Sequence, residues 1–462
     1  MDALVIIAGL IGLVWGALVL LRGGLVAGCL LLLLAGTCFG FPFFSLPTGA
    51  IPLTADRFLW LVMLGQYVVW RRYGWADPKP LVAGDYLLGA FVAVLMASTF
   101  THDWKAHNAQ PVSRLVFYYL MPLGIYWVAR QAVWTERSVR VVYGFLAVIG
   151  LYLALTAVAE ARQFTGLVFP TYIASPEHRE FFGRARGPML NPAGLGVFLG
   201  VGLCALTMAW PRLNRGGQLG LIGLIGVVAA GVYSTYTRSC WMGALAALAV
   251  VAGLALPRSW RAALLTSGLI VGTLVVVAQW ESLLAFKRDK ELSAQETADS
   301  AALRPILATV AWHMFLDRPI FGHGFAQYYD EKNAYLSDRS GDLPLEKVRR
   351  YIQHNVLLAH LTETGLVGML LFAAVVVSWI RAAWRLWRDQ SLPAWSRQQG
   401  LFFLGSFAAY FPNAMFHDVS LIPMVNMLLF FLAGMTVGIR ATVQHEPAAR
   451  GLEAAFQVGR AA

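Results

Sequence analysis

The sequence predicts an all-α, polytopic integral membrane protein of about 12–13 transmembrane helices, with one helical loop subdomain late in the chain. Three observations carry that prediction. Of 462 residues, 58% are hydrophobic and only 13% are charged, where an ordinary soluble domain has about 25% charged residues. Mean hydropathy is +0.61. Apolar runs close to the roughly 20 residues that a helix needs to cross a bilayer recur along nearly the whole chain, so helices rather than barrel strands are expected to satisfy the backbone.

The expected segments are 3–21, 24–43, 55–71, 81–99, 112–129, 141–160, 191–210, 217–233, 241–256, 262–280, 355–380, 398–414 and 419–438. Only Arg22, Gly23 and Gly24 separate the first two, so the count is 12 or 13 and the side of the N-terminus follows from it. The N-terminal run lacks a basic flank and a small-residue cleavage site, which makes it a retained helix and not a signal peptide. Arg71, Arg72 and Lys79, then Arg130, Arg137 and Arg140, then Arg212 and Arg215, then Arg258 and Arg261, then Arg381, Arg385, Arg388 and Arg397 fall on alternate loops. The positive-inside rule assigns those loops to the cytoplasm and turns 101–111, 161–190, 234–240, 281–354 and 412–418 outward.

Four regions follow: transmembrane helices over 1–280, a large periplasmic loop subdomain over 281–354, C-terminal transmembrane helices over 355–440, and a disordered cytoplasmic tail over 441–462. The loop 281–354 is far longer than the usual connection of a few residues. Its ten Lys and Arg residues do not oppose translocation, because long loops cross largely regardless of charge. The formal charge of +11 lies mostly in short loops, where it orients helices and meets anionic headgroups; nucleic-acid binding is not expected. Cys29, Cys38, Cys204 and Cys240 have no metal-ligand spacing and read as small core residues.

Charges at membrane depth are costly, so the outward helix ends are where chemistry is sought. Four clusters occur there: Arg184 and Arg186 in RARGPMLNPAGLG, Arg238 in YTRSCW, Arg304 in LRPILATVAW, and His354 in HNVLLAHLTETGLVG. Asn191 and Pro192 suit the cap and first position of the seventh segment. Taken singly, each arginine fits snorkelling or lipid-phosphate contact. Converging on one side, they form a planar, permanently charged donor set suited to a pyrophosphate. A lone histidine is more often a structural hydrogen bonder than a base. At 100° per residue, however, His354, Leu358, Leu361, Gly365 and Gly368 share a face on which glycines allow close approach of a helix or lipid chain, while Glu363 points away and His360 serves packing. His417 and Asp418 are a second acid/base candidate, or else a cap on the last helix. There is no Walker loop, dinucleotide fingerprint, HExxH or DxD pair, so no metal and no cofactor are expected, and any donor is lipid-linked rather than nucleotide-linked.

At these residues the chain resembles the O-antigen ligase and O-antigen polymerase superfamily. The resemblance rests on His354, Asn355, nine residues, Gly365, two residues and Gly368, and on RGPMLNP, the TRS turn, the stretch from Arg304 to GHGF, and the late position of the long loop. It covers about 140 to 440. It implies a bacterial inner-membrane glycosyltransferase that takes a glycan from undecaprenyl pyrophosphate on the periplasmic face and passes it to lipid A core. A polymerase using a second lipid-linked repeat, or a protein O-glycan ligase, are alternatives. Arg186 and Arg238 match the family's pyrophosphate-binding arginines and His354 its base; Arg184 and Arg304 are neighbours, with Asn355, Gly365 and Gly368 in support. Chemically, arginines that neutralise the leaving group make a general acid and a metal dispensable, and a neutral histidine takes the acceptor proton as an inverting attack begins. A transporter of lipid-linked substrate is the reading from a different class; inverted repeats and mid-membrane charges, its expected signs, are not evident.

Overall fold

A computed structural model describes the backbone of all residues except 1, 41, 47–51, 77, 107–109, 179, 279–293, 338–342 and 462. Thirteen helices dominate the described residues: α1 Asp2–Cys38, α2 Ala55–Arg72, α3 Ala83–Thr101, α4 Pro111–Gln131, α5 Glu136–Ala161, α6 Pro192–Thr207, α7 Arg215–Ser234, α8 Arg238–Ala255, α9 Arg258–Ala278, α10 Ala294–Asp317, α11 Val356–Arg388, α12 Ala394–Phe416 and α13 Pro423–Ala461. Nine of the helices are long and apolar enough to cross a membrane, among the described residues. The protein is therefore an all-α, polytopic membrane protein.

The helix ends follow local side-chain chemistry. Thr135 and Ser138 form a reciprocal capping box at α5. Asn191 Oδ1 accepts from the amides of Ala193 and Gly194 at 2.9 and 3.1 Å, and Pro192 takes the first position of α6. Each cap occupies amide donors that the helix itself leaves unpaired.

Helices α6 and α13 form the centre, buried along most of their described lengths. Small residues set the spacing. The Cα of Gly202 on α6 lies 2.9 Å from where a Cβ on Gly150 of α5 would sit, and Gly434 and Gly438 of α13 press on the backbone of Tyr126 and Arg130 in α4. Close backbone approach of this kind is how membrane helices gain packing without a hydrophobic driving force.

Several expectations change. The second segment ends at Cys38 rather than 43, while the break expected between 3–21 and 24–43 falls within α1 at Gly24, whose φ of +63° is non-helical and is one that glycine adopts without strain. Arg130 lies inside α4 rather than in a loop, and Lys79, in the loop before α3, is tied to helix ends. Arg130 is fully buried, paired with Asp85 at 2.7 Å, and Lys79 Nζ donates to the carbonyls of Ala132 and Gly438 at 2.7 and 3.2 Å. The tail expected to be disordered continues α13 to Ala461, as its seven alanines favour. The expected end of the tenth segment and the first residues of the loop, 279–293, lie outside the described residues.

The described part of the long loop folds on itself. Ile306, Leu307, Val310 and Met314 of α10 gather Tyr328, Leu336, Leu345 and Val348 into a separate hydrophobic cluster. This subdomain is anchored to the bundle at a break in α11. Gly365 has φ +62° and interrupts the helix, and the freed amides of Leu366 and Val367 donate to the carbonyls of Pro319 and Ile320 at 2.8 and 3.2 Å. In return, the amides of His323 and Gly324 donate to the carbonyls of Thr362 and Glu363 at 2.9 and 3.0 Å. A Cβ at Gly365 would lie 2.4 Å from the Ile320 oxygen.

Candidate active site

His354 sits just outside α11, because Asn355 is its cap: Asn355 Oδ1 accepts from the amides of Leu357 and Leu358 at 2.8 and 3.0 Å. The Asn355 amide Nδ2 also donates to the Met415 carbonyl at 3.0 Å, which ties the start of α11 to the end of α12. His354 is therefore held at an inter-helix joint, and the shared face expected for residues 354–368 is not formed. Gly365 seats the 319–324 segment, and a Cβ on Gly368 would meet only the Thr364 side chain of its own helix. The GHGF segment occupies the close approach at Gly365 that a second helix or lipid chain was expected to use.

His354 and Arg304 meet the same stretch of chain, Phe416 and His417. The His354 ring lies 6.2 Å from the His417 ring and 6.4 Å from Tyr351. Arg304, from α10, lies 5.0 Å over the ring of Phe416, the residue before His417. Burial, and after it the nearby Arg304 charge, push the His354 imidazole down to about 4, so it is neutral at physiological pH. Burial and the Arg238 charge lower Arg304 in turn. Two half-buried guanidinium groups from α8 and α10 are thus within electrostatic reach of one another, and the second is within reach of a neutral histidine, an arrangement whose mutual repulsion a dianion relieves.

Arg184 joins the periphery of this group. Its segment is fixed to the end of α7 by the Ala185 amide, which donates to the Ser234 carbonyl at 3.0 Å, and its charge reaches Cys240, two residues after Arg238. Arg186 does not join. It is 1% exposed; its Nε binds Glu160 at 3.1 Å, and its terminal nitrogens donate to the carbonyls of His178, Glu180 and Ile173. Glu160 completes the knot by accepting from the amides of Arg186 and Gly187 at 2.8 and 3.0 Å. With its guanidinium spent on Glu160 and three carbonyls, Arg186 holds the 161–190 loop in place and presents the segment that carries Arg184.

His417 and Asp418 are divided between two environments. The His417 ring meets His354, whereas the buried Asp418 carboxylate accepts from the Ser420 hydroxyl at the head of a helical turn. Burial raises Asp418 to about 7. His360 is packed among Phe91, Tyr119 and Phe372, with ring centroids 4.5–6.1 Å away.

Sequence reasoning missed Arg114 and Glu363. Glu363 is 3% exposed; its Oε1 lies 3.5 Å from Arg114 Nη1 and its Oε2 accepts from the Ala326 amide at 3.0 Å. A carboxylate and a guanidinium inside otherwise apolar segments was the available signal, since neither is stable there unpaired. A mostly apolar cavity of about 360 Å³ lies between Gly36, Arg57, Phe117, Leu190, Ile422 and Met427.

The arrangement defines a class: a multi-pass α-helical membrane protein with a cationic, histidine-bearing site at one end of its bundle, under an inserted loop subdomain. Residues 223–373, which contain Arg238, Arg304, His354 and the Gly365 break, match the family model described as O-antigen ligase. No curated protein matches the chain.

Proposed function

We propose that the chain transfers a glycan from undecaprenyl pyrophosphate to an acceptor hydroxyl on the periplasmic face of the bacterial inner membrane, with the core sugar of lipid A as acceptor. The observation that carries this reading is that Arg304 lies over the ring of Phe416, the residue before the His417 that meets His354, with the Arg238 charge within electrostatic reach. Arg238 and Arg304, with Arg184 at the rim, hold the pyrophosphate, whose oxygens suit forked guanidinium donors. The acceptor oxygen attacks the anomeric carbon from the side opposite the pyrophosphate. The new C–O bond forms as the bond to the phosphate oxygen breaks, with inversion, and the hydroxyl proton passes to a ring nitrogen of His354. The arginines stabilise the charge that grows on the leaving pyrophosphate, the same service that a divalent cation gives in other phosphate chemistry.

The basicity of His354 is low for a base, and the donor corrects it. Pyrophosphate charge neutralises Arg304, which removes one of the two causes of the depression, so binding of the donor raises His354 toward its ordinary value just when a proton must be accepted. The test supplies purified protein and lipid-linked glycan with lipid A core, a second lipid-linked repeat, or a pilin-like protein in separate reactions. Product on lipid A core supports ligation. Product only on the repeat or only on protein replaces the acceptor and keeps the chemistry. Full activity of His354→Ala would remove the base.

A further inference from the structure

The end of α11 opposite His354 carries a cavity of about 450 Å³ lined by Trp384, Arg385, Arg388, Asp389, Leu392 and Arg440. Arg385 and Arg388 come from the last turn of α11 and Arg440 from α13. The Asp389 carboxylate is engaged locally, accepting from the Ser391 amide at 3.0 Å and hydroxyl at 2.6 Å. Among the described residues, no carboxylate forms an ion pair with Arg385, Arg388 or Arg440, and all three line the same cavity. Three guanidinium groups from two helices therefore line one concavity against a single carboxylate.

Ordinary snorkelling fans arginines outward to separate headgroups. Here they converge instead. Arg381 is outside the cavity, and Arg397 stacks 5.8 Å over Trp387. Like charges held together in a partly enclosed space repel, and a phosphate oxygen set is the partner that matches several forked donors at once. Trp384, 42% exposed at the lip, has the amphipathic ring that membrane proteins place at the headgroup level.

We propose that this cavity is a binding site for a phosphate-bearing anion, the phosphodiester headgroup of an anionic phospholipid, held by Arg385, Arg388 and Arg440. The site bridges the end of α11 to α13 and is separate from the site at His354.

The test is native mass spectrometry of the detergent-purified full chain with phosphatidylglycerol, with phosphatidylethanolamine, and with inorganic phosphate. Wild type is expected to retain phosphatidylglycerol at least tenfold more tightly than an R385Q/R388Q/R440Q variant, and more tightly than phosphatidylethanolamine. R381Q, on the same helix end but outside the cavity, is expected to match wild type. Displacement of the lipid by low-millimolar phosphate identifies free phosphate as a ligand of the same site, and persistence of the lipid identifies the headgroup. If the triple variant fails to fold by gel filtration and thermal melting, R440Q alone is expected to weaken retention about threefold. Equal retention of phosphatidylglycerol by wild type and a folded variant, or equal retention of the two lipids by wild type, would overturn the proposal.

Discussion

Glu363 and Arg114, 249 positions apart in the chain, meet at 3.5 Å inside the bundle, and the second Glu363 oxygen holds the Ala326 amide of the loop subdomain. One buried carboxylate thus joins α4, α11 and the residue that follows the GHGF segment. His354 lies nine residues before it, across the Asn355 cap, so the position of the candidate base depends on the joint.

Glu363→Gln is expected to lower the thermal midpoint of the purified protein, because removing one partner of a buried pair strands the other and costs about 3 kcal/mol or more. Arg114→Gln added to it is expected to recover part of the loss. A double variant no more stable than Glu363→Gln alone would show that the pair is not the source.

Gly365→Ala is expected to be more damaging than Gly368→Ala. At Gly365 the positive φ costs roughly 1–2 kcal/mol for any other residue, and the new methyl would strike the Ile320 carbonyl, a backbone atom that cannot swing aside. At Gly368 the obstacle is the Thr364 side chain, which can change rotamer. Melting curves of the two variants, with loop proteolysis as a second readout, compare them.

The pH profile of transfer should carry the sign of the His354 shift. Its neutral form exists above about 4, so kcat/KM is expected to fall only as pH drops through that value, and to be flat from there toward neutrality. Arg304→Gln removes a repelling charge and should move this acid limb to higher pH while weakening donor binding. An unmoved limb would separate Arg304 from His354.

Arg238 and Arg186 should part company. Arg238→Ala is expected to weaken binding of lipid pyrophosphate by tenfold or more, with Lys restoring only part because the fork is lost, and to leave the melting temperature nearly unchanged. Arg186→Ala is expected to destabilise the protein by about 3 kcal/mol through the stranded Glu160. Donor-affinity loss in Arg186→Ala at unchanged stability would return that arginine to the binding set.

Composition and the spacing of apolar runs were enough to define an all-α membrane protein, because the bilayer penalises any unpaired backbone polar group and leaves a short menu of spanning structures. The His-Asn-Gly-Gly spacing, the TRS turn and Arg304 were also legible, being local in the chain. What the sequence by itself left open was which arginines face which partner. Arg184 and Arg186 are separated by one residue and are alike in type, yet one borders the candidate site and the other is consumed by Glu160 and three carbonyls. The role of Gly365 was equally hidden, since a glycine reads as room for a neighbour and only the tertiary structure shows that the neighbour is the chain's own 319–324 backbone. Periodicity reports burial along one helix. Pairing across hundreds of residues is decided by which buried charges and amides find each other, and that exists only once the helices are packed.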